Sequence, residues 1–205
     1  MIKGEGKMDQ ATMWYQPGKG DNDVLVVLKC PGRDELLSNH PVAGKTGENL
    51  CLLFRMIERM SNGSVSLCKH EVEIVNVSRL PHFNGSPYGE EVRREELCEN
   101  LEFVRRCVSG SKIRRIICCG KHAQSVLERV FDFDKKLLDR ISVINICHLG
   151  DQGLLDGRQR YAWPDGVDSV EKRLEHLALK ITECITNNRG WSLEHGKGYV
   201  EFNLS

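Results

Sequence analysis

The chain has 205 residues, the length of one ordinary domain, since domains commonly run to roughly 100–200 residues. A hydrophobic fraction of 40%, a charged fraction of 28% and 19 Gly against 6 Pro exclude a disordered, collagenous or fibrous chain. Lys plus Arg and Asp plus Glu both number 29, so any nucleic-acid binding must come from a local basic surface and not from an overall cationic field.

The N-terminal MIKGEGKMDQ offers no apolar stretch for a signal peptide, and no later run approaches the length that crosses a bilayer. A cytosolic location without a membrane partner is the expectation. The segment 23–29, DVLVVLK, is a β-branched and Leu run that then meets Pro-Gly, the pattern of a buried strand entering a turn. Residues 30–46 read as a loop. From Gly47, the positions Leu50, Leu53, Phe54 and Ile57 fall at i, i+3, i+4 and i+7, one face of a helix ending near Ser61-Asn62-Gly63. A second strand is predicted over 72–77.

Residues 79–90, RLPHFNGSPYGE, cluster Pro, Gly, Asn and Ser and read as a long irregular loop, a kind that is often functional in compact domains. Leu97, Leu101, Val104 and Val108 keep helical spacing up to Gly110, with Glu and Arg on the wet face. RRIICCG (114–120) reads as the third strand and ISVINICH (141–148) as the fourth, with Ala123, Val126, Leu127 and Val130 marking the helix between them. Val170, Leu174, Leu177, Ile181 and Ile185 define a last amphipathic helix that breaks at Asn187-Asn188-Arg189-Gly190. Strands alternating with helices predict parallel pairing through right-handed crossovers. The expected fold is α/β, a three-layer α/β/α sandwich around a central four-stranded, mainly parallel sheet, in a single domain with its core at about 23–187.

Nine Cys, an odd number with no CxxC pair, fit a set of reduced thiols that are mostly buried. Zinc sites show close ligand pairs that are missing here, so no metal is expected. In open parallel sheets the ligand crevice lies beyond the carboxyl ends of the strands. The residues found there are Lys29-Cys30-Pro31-Gly32-Arg33-Asp34-Glu35, Asn76 with its loop, and His148-Leu149-Gly150.

Several of these residues stand in the order of known motifs. Leu28-Lys29-Cys30-Pro31-Gly32 with Glu35 is followed by Pro41-Val42-Ala43-Gly44-Lys45-Thr46-Gly47-Glu48-Asn49-Leu50. Next come Val75-Asn76, Glu95-Glu96-Leu97-Cys98, Gly120-Lys121-His122-Ala123 and His148. Over roughly residues 23–185 this series resembles the uracil-DNA glycosylase superfamily, especially its iron–sulfur, thermophile-type branch.

The resemblance implies base flipping and cleavage of an N-glycosidic bond. It makes His148 the donor to the departing base, and it makes Asn76 the reader of the base's Watson–Crick edge. Pro31 and Gly32 form the turn that brings backbone close to sugar and phosphate. Lys45, Lys121, Arg158 and Arg160 contact phosphates, and Leu154 and Leu155 form the wedge that fills the gap left by the base. A hydrophobic anchor folded onto the core is the other reading of those two leucines.

Departures from the family pattern shape the expectation further. Lys29 and Cys30 replace the first-motif carboxylate or amide, which leaves Asp34 and Glu35 to activate water, or Lys29 to attack the sugar as an amine. The same Asp-Glu pair also suits the solvated start of a short helix. Cys30 reads as a small wall residue. Val42 replaces the aromatic on which the family stacks uracil and so enlarges the pocket, pointing to a bulkier modified pyrimidine.

The branch's cysteine set is incomplete, because residues 1–29 hold no Cys and Cys107 follows Cys98 at the wrong distance. No cluster and no other cofactor are expected. The leading expectation is a monomeric DNA glycosylase acting in base repair or against modified foreign DNA. Its alternatives are an inactive DNA or modified-base binder and a nucleoside or nucleotide N-glycosidase.

Overall fold

The computed structural model describes residues 11–150, 153–154, 162–187 and 190–192. Its strands are β1 (Tyr15–Gln16), β2 (Val24–Leu28), β3 (Glu73–Asn76), β4 (Arg115–Cys119), β5 (Ser142–Ile146) and β6 (Trp191–Ser192). Its helices are α1 (Arg33–Ser38), α2 (Lys45–Met60), α3 (Arg94–Ser109), α4 (Lys121–Phe133) and α5 (Val170–Asn187).

One sheet runs in the order β1-β3-β2-β4-β5-β6. The pairs β3/β2, β2/β4, β4/β5 and β5/β6 are parallel, and only β1 is antiparallel to its neighbour β3. The four predicted strands are therefore the central four, and two-residue strands extend both edges. Those edge strands are too short to carry an alternation that sequence patterning detects.

All five residues of β2 are buried, as expected for a strand covered on both faces. Val24, Val26 and Leu28 face one core with α2 and α5, contributed by Leu50, Leu53, Phe54, Leu174, Leu177 and Ile181. Leu25 and Val27 face a second core with α3 and α4, contributed by Leu97, Val104, Val108, Ala123, Val126 and Val130. The period-two alternation of β2 thus feeds two helical layers, and the three-layer α/β/α arrangement follows.

The stretch 30–46, expected to be loop, contains α1. Gly32 stands at its N-cap, and the Glu35 carboxylate accepts the Gly32 backbone N–H at 2.8 Å. A six-residue helix shows too little apolar periodicity to be read from sequence. Leu36 and Leu37 are both exposed, so no buried face marks it.

A second correction concerns Leu154. Its side chain is 0% exposed and belongs to the α2/α5 core, so it is an anchor and not a wedge reaching toward DNA. Leu155, Arg158 and Arg160 lie outside the described residues. Leu154→Ala is expected to lower stability by about 2–5 kcal/mol through lost burial and a residual cavity. A urea-unfolding midpoint within experimental scatter of the wild type would contradict that burial.

Candidate functional site

The chain leaves β2 for β3 on one side and returns across the sheet to β4 on the other, so the crossover direction reverses between β2 and β4. Loops diverge at such a switch point and open a crevice beyond the strand ends. A cavity of about 520 Å³ lies there, within the usual range for small-molecule sites. Each central strand supplies part of its wall: Lys29, Cys30, Pro31 and Gly32 after β2, Asn76 at the end of β3, Lys121 and His122 after β4, and His148 after β5.

His148 is held from several sides. The Gly150 backbone N–H donates to its Nδ1 at 3.0 Å, which leaves the proton of the neutral ring on Nε2. The Asn49 amide, itself buried, donates to the Leu149 carbonyl at 2.7 Å and fastens this turn to α2. Gly153 passes so close that a Cβ there would overlap the His148 carbonyl and crowd its Cβ, so only glycine fits. Burial, and then the nearby Lys29 ammonium, push the His148 pKa down to about 4. His122 is pushed down to about 4 as well, by burial and then by Lys29, Lys121 and His148. The cavity therefore holds neutral imidazoles at ordinary pH.

Asn76 is 2% exposed and lines the cavity, and its side-chain amide makes no hydrogen bond within the described residues. Its backbone is well fixed. The N–H donates to the Trp14 carbonyl at 2.8 Å, and its carbonyl accepts the Asn100 amide at 3.0 Å. Asn100 in turn accepts from the Arg79 guanidinium at 2.8 Å, which lies over the Trp14 ring. A rigid strand end thus presents a buried amide whose donor and acceptor are available to a ligand.

The first-motif residues separate. Lys29, Cys30, Pro31, Gly32 and Glu35 line the cavity, but Asp34 does not; it is exposed on α1, and its carbonyl accepts the Ser38 hydroxyl. Consecutive helical residues point about 100° apart, so the expected carboxylate pair is split. Glu35 is turned inward and accepts backbone N–H groups from Gly32 at 2.8 Å and Gly44 at 3.4 Å, which makes it a brace for the turn. Asp34 is thereby corrected as a water-activating residue. Burial raises the Cys30 thiol to about 11 against the pull of Lys29, so it stays protonated and serves as wall.

Val42 lines the cavity with φ of 49°, an uncommon left-handed conformation for a β-branched residue. Its carbonyl accepts the Lys69 ammonium at 3.2 Å. Lys45 lies outside the cavity, exposed and paired with Glu48 at 3.1 Å. Lys121 opens α4 and reaches the wall.

Four wall residues from the long loop 79–90 escaped sequence reading: His82, Phe83, Asn84 and Glu90. The His82 N–H donates to the Pro31 carbonyl at 3.1 Å, and Arg33 of α1 donates to the Asn84 carbonyl at 3.1 Å while lying over the Phe83 ring. The Pro/Gly clustering marked that loop as functional but gave no residue. His82 Nε2 lies 2.6 Å from Glu96 Oε2, which also accepts the Ser78 hydroxyl at 3.0 Å. Arg93 donates to the other Glu96 oxygen at 3.0 Å. Burial works to raise Glu96, but the hydrogen bonds from Arg93, His82 and Ser78 outweigh it and hold the carboxyl below its ordinary range.

The residues do not fit an iron–sulfur cluster. Cys98 is exposed on α3, Cys107 is buried on the same helix, and no three metal-ligating side chains converge among the described residues. Comparison of the chain with protein-family models finds no match, and none of the curated proteins searched matches it.

The depressed His148 and His122 values make stability depend on pH. Both rings take up protons near pH 6.5 in the unfolded chain and near 4 in the folded one, so unfolding binds protons between those values. Stability is expected to be full above about pH 6.5 and to fall as the pH drops toward 4. Urea midpoints from pH 7.5 to 4 check this, and His148→Gln is expected to flatten the slope; a slope unchanged in the variant would contradict the assignment.

Proposed function

We propose that the protein is a DNA glycosylase-like hydrolase that takes a flipped pyrimidine-type base into the cavity at the carboxyl edge of the sheet. The observation that carries this reading is one shared cavity wall bearing a buried Asn76 amide without a hydrogen-bond partner among the described residues and a neutral His148 with its proton on Nε2. An amide both donates and accepts, which suits the edge of a pyrimidine.

Breaking the N-glycosidic bond leaves negative charge on the base and positive charge on the sugar. His148 Nε2–H stabilises the departing base by a hydrogen bond that strengthens as charge develops, and the ring's low basicity keeps it a hydrogen-bond donor and not a carrier of positive charge. Lys29 and Lys121 add positive potential on the same wall and meet phosphate or the departing anion. Val42, where the family has an aromatic, leaves room for a bulky substituent on the base. The reading has the protein work on DNA in the cytosol, as a monomer. No described helix is long and apolar enough to cross a membrane.

One observation favours a second reading, a binder that recognises a modified base without cutting it: Asp34 faces away and both Glu35 oxygens are taken by backbone. Base release separates the two. On oligonucleotides carrying uracil, hydroxymethylated and glucosylated cytosine, thymine and hypoxanthine, the expected result is release of a bulky modified pyrimidine. His148→Ala is expected to lower that release by about 100-fold or more, the size of one lost transition-state donor. Tight binding with no release from any oligonucleotide supports the binder, and release of plain uracil with no preference for bulky bases removes the role given to Val42.

A further inference from the structure

Lys29 stands in the cavity wall without a counterion. It is half-buried there, and its ammonium has neither an ion pair nor a hydrogen bond among the described residues. The two carboxylates of the wall do not meet it: Glu35 accepts the backbone N–H groups of Gly32 and Gly44, and Glu90 is exposed.

Strand register fixes where Lys29 stands. Leu28, the last residue of β2, is level with Asn76 at the end of β3. The pairing continues beyond them, since the Val77 N–H donates to the Leu28 carbonyl at 2.8 Å and the Ser78 N–H to the Lys29 carbonyl at 2.9 Å. Lys29 is therefore one step past the strand pair that ends in Asn76. Its charge works with burial to lower the basicity of His148 and His122, and it works against burial at the Cys30 thiol. Those three wall groups follow β5, β4 and β2, so they bracket the ammonium from three strand ends. It lies beside Asn76 and His148, the residues that meet the base in the reading above.

A cation drawn partly out of water is costly until an opposite charge meets it. We propose that Lys29 is the counterion of the pyrimidine ring itself, so that the cavity binds a pyrimidine in its anionic form more tightly than in its neutral form. The inference rests on the glycosidase reading and narrows it, assigning Lys29 to the base and not to phosphate. In the reaction the C1′–N bond breaks and its electron pair stays on the ring nitrogen. A water oxygen bonds to C1′ and its proton goes to solvent. The ring carries one negative charge until it takes a proton from solvent, and over that interval Lys29 and His148 Nε2–H hold it. Free acidic pyrimidines are ligands of the same site.

The test is equilibrium binding to the full chain, at neutral pH, of 5-nitrouracil, which is ionised there, and of thymine, which is not. The anion is expected to bind about 10-fold or more tightly, the size of a hydrogen bond to a charged group. Lys29→Met keeps the length of the side chain without its charge. It is expected to cancel the preference, with thymine affinity within about twofold of wild type and the melting temperature unchanged. On an oligonucleotide that the wild type cleaves, its single-turnover base release is expected to fall by about 10-fold or more.

Equal affinity for the two rings in the wild type overturns the proposal, and so does a preference that survives in Lys29→Met. Loss of inorganic phosphate binding in Lys29→Met with the ring preference intact assigns Lys29 to the DNA backbone and overturns it too. A lowered melting temperature with thymine affinity also lost assigns Lys29 a structural role, against the proposal. Base release without any anion preference leaves the glycosidase reading standing and removes this role. An anion preference that depends on Lys29, without base release from any oligonucleotide, removes the hydrolase and leaves the counterion in place.

Discussion

A parallel sheet brings every strand to an end on the same edge, and no other physical constraint shapes this molecule as much. Backbone groups beyond those ends lack ladder partners, so they must be satisfied by turns, helix starts and side chains. In this protein Gly32, Gly44, Asn76 and Gly150 each find such a partner close to the strand ends. The reversal of winding between β2 and β4 then keeps the loops from closing over the edge. Polar residues gather around the opening because the backbone there has to be tied down, and the cavity is left between them.

The electrostatics of that cavity follow from its depth. Burial removes water from two imidazoles and a thiol, and each responds by favouring its neutral form. Lys29 reinforces the effect on both histidines by disfavouring a second positive charge nearby. A site with neutral donors and ammonium groups on its wall suits a ligand that gains negative charge during reaction. Away from the ammonium groups the reverse holds, since Glu96 is kept ionised by three donors within a buried network. That carboxylate is not among the residues of the cavity wall.

The strands and long helices were legible because each buries a stripe of regular period. Val24 to Leu28 alternates between two cores, and Leu50, Leu53, Phe54 and Ile57 repeat along one face. The cavity wall was legible chiefly where residues follow strand ends, as with Lys29, Asn76 and His148. Asp34 and Glu35 are adjacent in the chain but diverge in space, because a helix begins between the turn and the pair. Glu96 sits in a run of charges that reads as a wet face, yet tertiary contacts from Ser78 and His82 bury it. Leu154 sits in a polar segment that suggests exposure, and the core of α2 and α5 claims it instead. The last two misses, Glu96 and Leu154, involve contacts between distant parts of the chain, which local patterning does not contain.

Val42 carries a further consequence. A β-branched residue in the left-handed region costs roughly 1–2 kcal/mol, and glycine or asparagine adopts that geometry with far less penalty. The position is therefore a place where stability and shape compete. A library of variants screened for thermal resistance alone will accumulate glycine or asparagine there, whereas one screened for action on a ligand will return side chains that still fill the wall. The difference between the two populations at this single codon measures how much the protein gives up in folding to keep its cavity in shape.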